Sequence, residues 1–390
     1  MASNSHGATR QGTRAYDEVA LQRLLTECEV QTVNGSPVEV KAATDLPSGH
    51  LDPWVLQQQR AIQPGPGLVG MLRDLPSLVF SRNEQLLKGR ASLEATMRED
   101  SPGQDLTSGA VNITRQEWDL AGETRPMWIY ARTGDDSTPR PAFLHLHGGG
   151  FSAGTPIGND PFLKVIADRS NAVIFDLDYS MIPERTFPQP VREAAAALSR
   201  IHDEASAWNV DPTRIAVGGG SAGANISAAA ALYVRDQAHP PVALQVLYSP
   251  FLTFGGPPAG LSYQAAKVAK EHRSFAGPQS PRMMDMLTGM LYRTYRGKGG
   301  GRRDDPYMSP ALAKDLRGLP AALIIAGEMD PLHQTAEHYA GDLARAGVRV
   351  RTIRYRGCLH DSVGQIGRVP QAEAAAIETV SAIEAMGRPV

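Results

Sequence analysis

Apolar residues recur along this chain in two rhythms, and the change between them divides it. Residues 1–15 are small and polar and predict no regular element. Over 16–31, Val19, Leu21, Leu24 and Leu25 fall at near-helical spacing and predict an amphipathic helix. Residues 32–66 are rich in Pro and Gly and read as irregular. Over 67–98, Leu68, Met71, Leu72, Leu75, Leu78, Val79 and Leu86 predict one or two helices broken near Pro76. This first stretch therefore reads as helical, without strand signals.

From residue 111 the texture changes. Residues 111–118 and 126–132 read as two strands of a hairpin. Short apolar runs then follow at Ala142–His147, Ala172–Asp178, Arg214–Gly218, Leu244–Tyr248, Ala321–Gly327 and Val348–Tyr355. Alanine-rich helical patterns lie between most of them, at 191–207, 222–236 and 334–346. Buried apolar strands alternating with helices predict a mostly parallel sheet covered on both faces. Residues 251–305 break the alternation with a Gly-Gly-Pro-Pro turn, a Met-rich helical pattern (Met283, Met284, Met286, Leu287, Met290, Leu291) and a glycine-rich basic loop. An insertion of this size between sheet strands is usually a lid or cap.

Composition narrows the class. A chain of 390 residues, 42% hydrophobic, can bury a large core. A formal net charge of −2 gives no electrostatic footprint for nucleic acid or an anionic membrane. The two cysteines, Cys28 and Cys358, make neither a disulfide framework nor a zinc site. The N-terminus carries no apolar core of signal-peptide length, and no run of about 18 apolar residues occurs, so the expectation is a cytoplasmic protein without a membrane span.

Two glycine-rich turns then carry the chemistry. Gly219-Gly220-Ser221-Ala222-Gly223 follows one strand pattern and opens a helical one, the setting of a nucleophile elbow. The serine needs a strained backbone to stand clear of the sheet, and Gly219 and Gly223 remove side chains that would clash. The competing reading is a phosphate-binding glycine turn. His147-Gly148-Gly149-Gly150, about 70 residues upstream, resembles the loop that completes an oxyanion hole. Backbone N–H groups of Gly148, Gly149 and Ala222 would stabilise the anion formed in acyl transfer, and His147 would orient the loop. The competing reading here is a plain glycine turn. His145 reads as a packed residue, not a ligand.

A serine nucleophile needs a base, and the base an orienting carboxylate, in the chain order serine, acid, histidine. Asp330 and His360 follow strand patterns in that order. Glu328, Asp361, His333 and His338 are the alternatives, the last two reading as surface or packing residues.

These residues resemble the hormone-sensitive-lipase-like carboxylesterases of the α/β-hydrolase superfamily. The resemblance covers roughly residues 110–385. It rests on His147–Phe151, Asp178-Tyr179, Pro183-Glu184, Phe187-Pro188, Asp211–Asn225, Pro306–Pro310, Leu319-Pro320, Asp330–Leu332 and Gly357–His360. It implies an α/β fold with a mostly parallel eight-stranded sheet, helices on both faces and a helical cap. The domain reading is then a cap segment at 1–110, a catalytic domain at 111–250 and 306–390, and a cap insertion at 251–305. It also implies hydrolysis of a small carboxylic ester through an acyl-enzyme on Ser221, with no cofactor and no metal. Relatives of this kind are often dimers. Three positions depart from the family pattern: Gly220 where an acid is usual, Ser180 where Arg is usual, and Asp361 where Gly is usual. They motivate an alternative, a biosynthetic acyltransferase, cyclase or lyase on the same scaffold. A third reading, a non-catalytic small-molecule receptor, predicts loss of a catalytic residue, and none is lost.

Overall fold

The computed structural model describes residues 12–61, 90, 103–134, 138–256, 268–273, 275, 281–298, 300–360 and 363–387. Apart from Arg90, the helices expected over 67–98 lie outside them, as do parts of the insertion and the alternative acid Asp361.

Ten strands form one sheet: β1 (Glu29–Val33), β2 (Ser36–Lys41), β3 (Val111–Leu120), β4 (Glu123–Arg132), β5 (Arg140–Leu146), β6 (Val173–Leu177), β7 (Val210–Gly220), β8 (Leu244–Tyr248), β9 (Ala321–Gly327) and β10 (Val350–Tyr355). Their spatial order is β1-β2-β10-β9-β8-β7-β5-β6-β4-β3. Pairing is parallel from β2 through to β6, and antiparallel at β1–β2, β4–β6 and β3–β4. Among the described residues the α-helices are α1 (Glu18–Thr26), α2 (Pro53–Ala61), α3 (Asp160–Ser170), α4 (Gln189–Asp203), α5 (Ala222–Asp236), α6 (Pro281–Arg296), α7 (His333–Arg345) and α8 (Pro370–Glu384).

The period-2 alternation of the strands sends neighbouring side chains to opposite faces. Ile215 and Val217 of β7 join the core beneath α4, α5 and α7, while Ala216 joins the core beneath α1, α3 and α8. With apolar partners on both faces, β5, β6 and β8 are buried along their whole length, which explains their continuous apolar runs. The chain leaves β5 for β6 on one side and returns to β7 on the other. The strand order therefore reverses between β5 and β7, the kind of switch point at whose strand carboxyl ends open α/β sheets place their sites.

Two expectations need correction. The sheet has ten strands, not eight, and the N-terminal stretch is not purely helical. Residues 29–41, read as helix end and irregular chain, form the β1–β2 hairpin, and β2 runs parallel to β10. The local signal was present: Asn34 and Gly35 both take positive φ (50° and 79°) in a two-residue turn between Val33 and Ser36. It was masked because β1 is largely exposed, and because Val38 and Val40 are buried only through a partner strand some three hundred residues away.

Candidate active site

Ser221 stands between the last residue of β7 and the first residue of α5, with φ 52° and ψ −110°. That is a sparsely populated conformation for a residue with a Cβ, and the surroundings hold it there. Its N–H donates to Tyr248 O at 2.9 Å, and its carbonyl accepts from Asn225 N at 3.1 Å and Phe251 N at 3.2 Å. The glycines on either side allow β7 and α5 to press against β5. A Cβ on Gly219 would lie 2.1 Å from Leu146 O, and one on Gly223 would lie 2.1 Å from the same oxygen. Ala222 opens α5, so its N–H is one of the orphan donors of a helix N-terminus, where the helix dipole favours negative charge.

The loop after β5 holds three successive residues at positive φ: Gly149 (124°), Gly150 (61°) and Phe151 (63°). Gly149 O accepts from both Ser152 N (3.1 Å) and Ala153 N (3.0 Å), which curls the loop tightly. Only glycine fits at 149, because a Cβ there would sit 1.8 Å from Ala153 O. His147 is buried at the base of the loop. Its ring stacks on Tyr179 at 4.4 Å, its Nδ1 lies 2.8 Å from Gly148 O, and its own carbonyl accepts from the Tyr179 hydroxyl at 2.9 Å. These contacts fit the expected orienting part. His145 lies beside Phe143 on β5, paired with Asp176 at 2.8 Å in the interior, as a packed histidine would be.

Asp330 and His360 reach the same point from the ends of β9 and β10. His360 Nδ1 lies 3.0 Å from Asp330 Oδ2, and His360 Nε2 lies 3.0 Å from Ser221 Oγ. The two loops are stitched together by Met329 N to Cys358 O (2.9 Å) and Glu328 N to Tyr355 O (2.9 Å). Asp330 is fully buried. Burial pushes its carboxyl up, but His360, the Leu332 N–H and the Ser249 hydroxyl more than offset this, and it rests below the usual aspartate value. With the carboxyl ionised, His360 Nδ1–H donates to it, and Nε2 is left as an acceptor facing the serine hydroxyl.

The alternative residues are turned to other tasks. Glu328 accepts from Gly357 N at 3.0 Å and from the Ser48 hydroxyl at 2.5 Å, which holds the turn before His360. His333 binds the Asp330 carbonyl at 2.7 Å, and His338 meets Asn34 at 3.1 Å. Cys358 is buried and packed, whereas Cys28 is exposed. Ser180, the departure after Tyr179, donates through its N–H and hydroxyl to the buried Glu193 at 2.8 and 2.6 Å.

Two supporting residues carried no signal that singled them out in the sequence. Ser249, at φ 44°, donates to Asp330. Asn225 lies one turn into α5, where its side-chain amide bridges Phe251 O (2.8 Å) and Met308 O (3.0 Å) and ties the elbow helix to two loops. Serine and asparagine are too common for type alone to mark them.

Comparison with known proteins gives a consistent result. The pattern of the family described as alpha/beta hydrolase fold matches residues 143–363. Esterase LipI of Mycobacterium tuberculosis is 30% identical over 249 residues, covering 64% of this chain and 73% of that one. Carboxylesterase NlhH of the same organism is 31% identical over 247 residues, covering 63% and 73%. Among solved structures, a bacterial heroin esterase superposes with a TM-score of 0.66 at 26% identity, covering 87% of this chain and 98% of the other. The hyperthermophilic esterase of the archaeon Pyrobaculum calidifontis gives 0.66 at 26%, covering 86% and 98%.

Proposed function

The chain belongs to the α/β-hydrolase fold family, in its hormone-sensitive-lipase-like branch, and from that membership we propose how its residues divide the work of a serine carboxylesterase. It hydrolyses carboxylic esters. The observation that carries the assignment of residues is the unbroken chain Ser221–His360–Asp330, with both contacts at 3.0 Å.

Ser221 Oγ attacks the ester carbonyl as its proton passes to His360 Nε2. Asp330 keeps the imidazole in the required tautomer and stabilises the imidazolium that forms. The former carbonyl oxygen becomes an anion held by the N–H groups of Gly148, Gly149 and Ala222. Each such donor contributes about 3 kcal/mol to the transition state. Collapse expels the alcohol, which takes the proton back from His360. Water then enters, gives a proton to His360, and releases the acid and the free serine. The N-terminal segment and the insertion at 251–305 are proposed as the cap over this site. A homodimer and a cytoplasmic setting rest on the resemblance and the sequence reading alone; light scattering and cell fractionation test them.

Replacing Ser221 by Ala and assaying p-nitrophenyl esters together with a fluorophosphonate probe tests the reading. Turnover and labelling should both vanish; retention of either refutes it. The acyltransferase, cyclase or lyase alternative is not favoured, since the named relatives are esterases.

A further inference from the structure

The loop that carries Gly148 and Gly149 turns through three consecutive positive-φ residues, the last of them Phe151, whose strained backbone persists only where its surroundings over-determine it. Part of that support comes from far away in sequence. Arg90, in the N-terminal segment, places its guanidinium between this loop and the one after Tyr179. Its Nε donates to Ser152 O at 2.7 Å, and its Nη2 donates to Ile182 O. Nη1 and Nη2 also form a two-point pair with the carboxylate of Glu184, at 2.7 and 2.6 Å. The two loops are joined directly as well, by Ile182 N to Phe151 O at 3.0 Å. The arginine side chain is mostly buried, with 16% exposed, so its bonds to the two carbonyls are partly shielded from solvent, whereas Glu184 holds it from the half-exposed outer side.

We propose that Arg90 is a positioning residue for ester hydrolysis: clamped by Glu184, it fixes the Gly149–Ala153 loop so that the Gly148 and Gly149 N–H groups keep their aim. Two carbonyls and one carboxylate converge on a planar fork, a geometry that lysine cannot reproduce. The N-terminal segment thereby contributes to turnover through the oxyanion loop. This inference rests on the assignment of Ser221 and that loop given above.

The test compares Arg90→Ala, Arg90→Lys and Glu184→Gln with the parent chain. Rates are expressed per active site titrated with a fluorophosphonate, and each variant is melted. The proposal expects kcat to fall about ten- to a hundredfold in Arg90→Ala, the size of effect that misplacement by about 1 Å produces. KM should stay close to the parent value, because the oxyanion forms only in the transition state. Affinity for a phenylboronic acid, whose tetrahedral adduct puts an oxygen in the same place, should fall in parallel with kcat. Added guanidinium ion should restore part of the rate in Arg90→Ala, and Arg90→Lys should remain impaired. A merely structural anchor would lower the melting temperature and leave kcat per titrated site unchanged, and that outcome overturns the proposal. If Arg90→Ala yields no folded protein, kcat within twofold of the parent in Arg90→Lys overturns it equally. Turnover surviving in Ser221→Ala would instead sink the underlying assignment. Loss there with normal rates in the Arg90 variants sinks only the present one.

Discussion

A single methyl group at Gly223 should part the two halves of the proposed oxyanion hole. Gly223 is the second residue of α5 and has ordinary helical φ, so alanine is conformationally acceptable there. In an exposed helix the exchange would gain about 1 kcal/mol. Here the new Cβ would stand 2.1 Å from Leu146 O and 2.5 Å from His147 O, both backbone atoms at the end of β5. Ordinary contact begins at 3.4 Å, so α5 and β5 must separate by about 1.3 Å. β5 is held in place by its pairing with β7 from Ala142 to Leu146, so the displacement falls on α5. Overpacking of this kind costs about 1–3 kcal/mol of stability, which the propensity gain only partly offsets. The larger effect falls on chemistry. Ala222 moves with α5, while Gly148 and Gly149 stay with β5. A misplacement near 1 Å is worth on the order of a hundredfold in rate, or about 2.7 kcal/mol of transition-state stabilisation. The assay is kcat and KM on a p-nitrophenyl ester beside a thermal melt, with Gly158→Ala as control, since a Cβ at Gly158 meets nothing within 4 Å. A Gly223→Ala variant that melts no lower than the parent and turns over within twofold of it would refute the reasoning.

Asp330→Asn should keep the fold and the serine but lower kcat by about four orders of magnitude, because an amide supports the wrong imidazole tautomer; a loss under tenfold, read as the rate of fluorophosphonate labelling, contradicts this. Glu328→Gln should stay within about threefold of the parent, as befits loss of about 0.5 kcal/mol from a turn contact, whereas collapse of kcat would make Glu328 the acid. Glu373 of α8 is buried and accepts from Arg14 (2.7 and 2.8 Å), the Tyr16 hydroxyl (2.7 Å) and Arg169 (2.7 Å), which anchors the N-terminal segment. Burial pushes its carboxyl up, but these donors pull it down to about 2. A carboxylate depressed on folding stabilises fully above its unfolded value of about 4.3, and the contribution, about 3 kcal/mol, is lost as pH falls toward 2. Urea unfolding of Glu373→Gln between pH 5 and pH 2 should therefore show a flatter loss of stability than the parent; parallel curves would contradict it.

The residues proposed to make and break bonds are legible in the sequence because each sits in a turn with a strict local requirement. Ser221 needs small neighbours and a strand-to-helix switch; the loop at Gly149 needs residues that tolerate positive φ; Asp330 and His360 need strand ends in a fixed order. Those requirements act over a few positions, so the chain displays them directly. The alternation of apolar runs and alanine-rich helices likewise announced a parallel sheet buried on both faces. What only the tertiary structure decided is whatever depends on a distant partner. The β1–β2 hairpin becomes part of the sheet because β10 offers it an edge, so its buried valines look unremarkable in isolation. Ser249, Asn225 and Arg90 acquire their tasks from carbonyls and carboxylates brought to them by other elements. Glu328 and Asp330 are two residues apart and chemically alike, yet one faces the turn at Gly357 and the other His360. Local sterics write themselves into the sequence, whereas the direction in which a polar side chain finds its partner is settled only when the strands are packed.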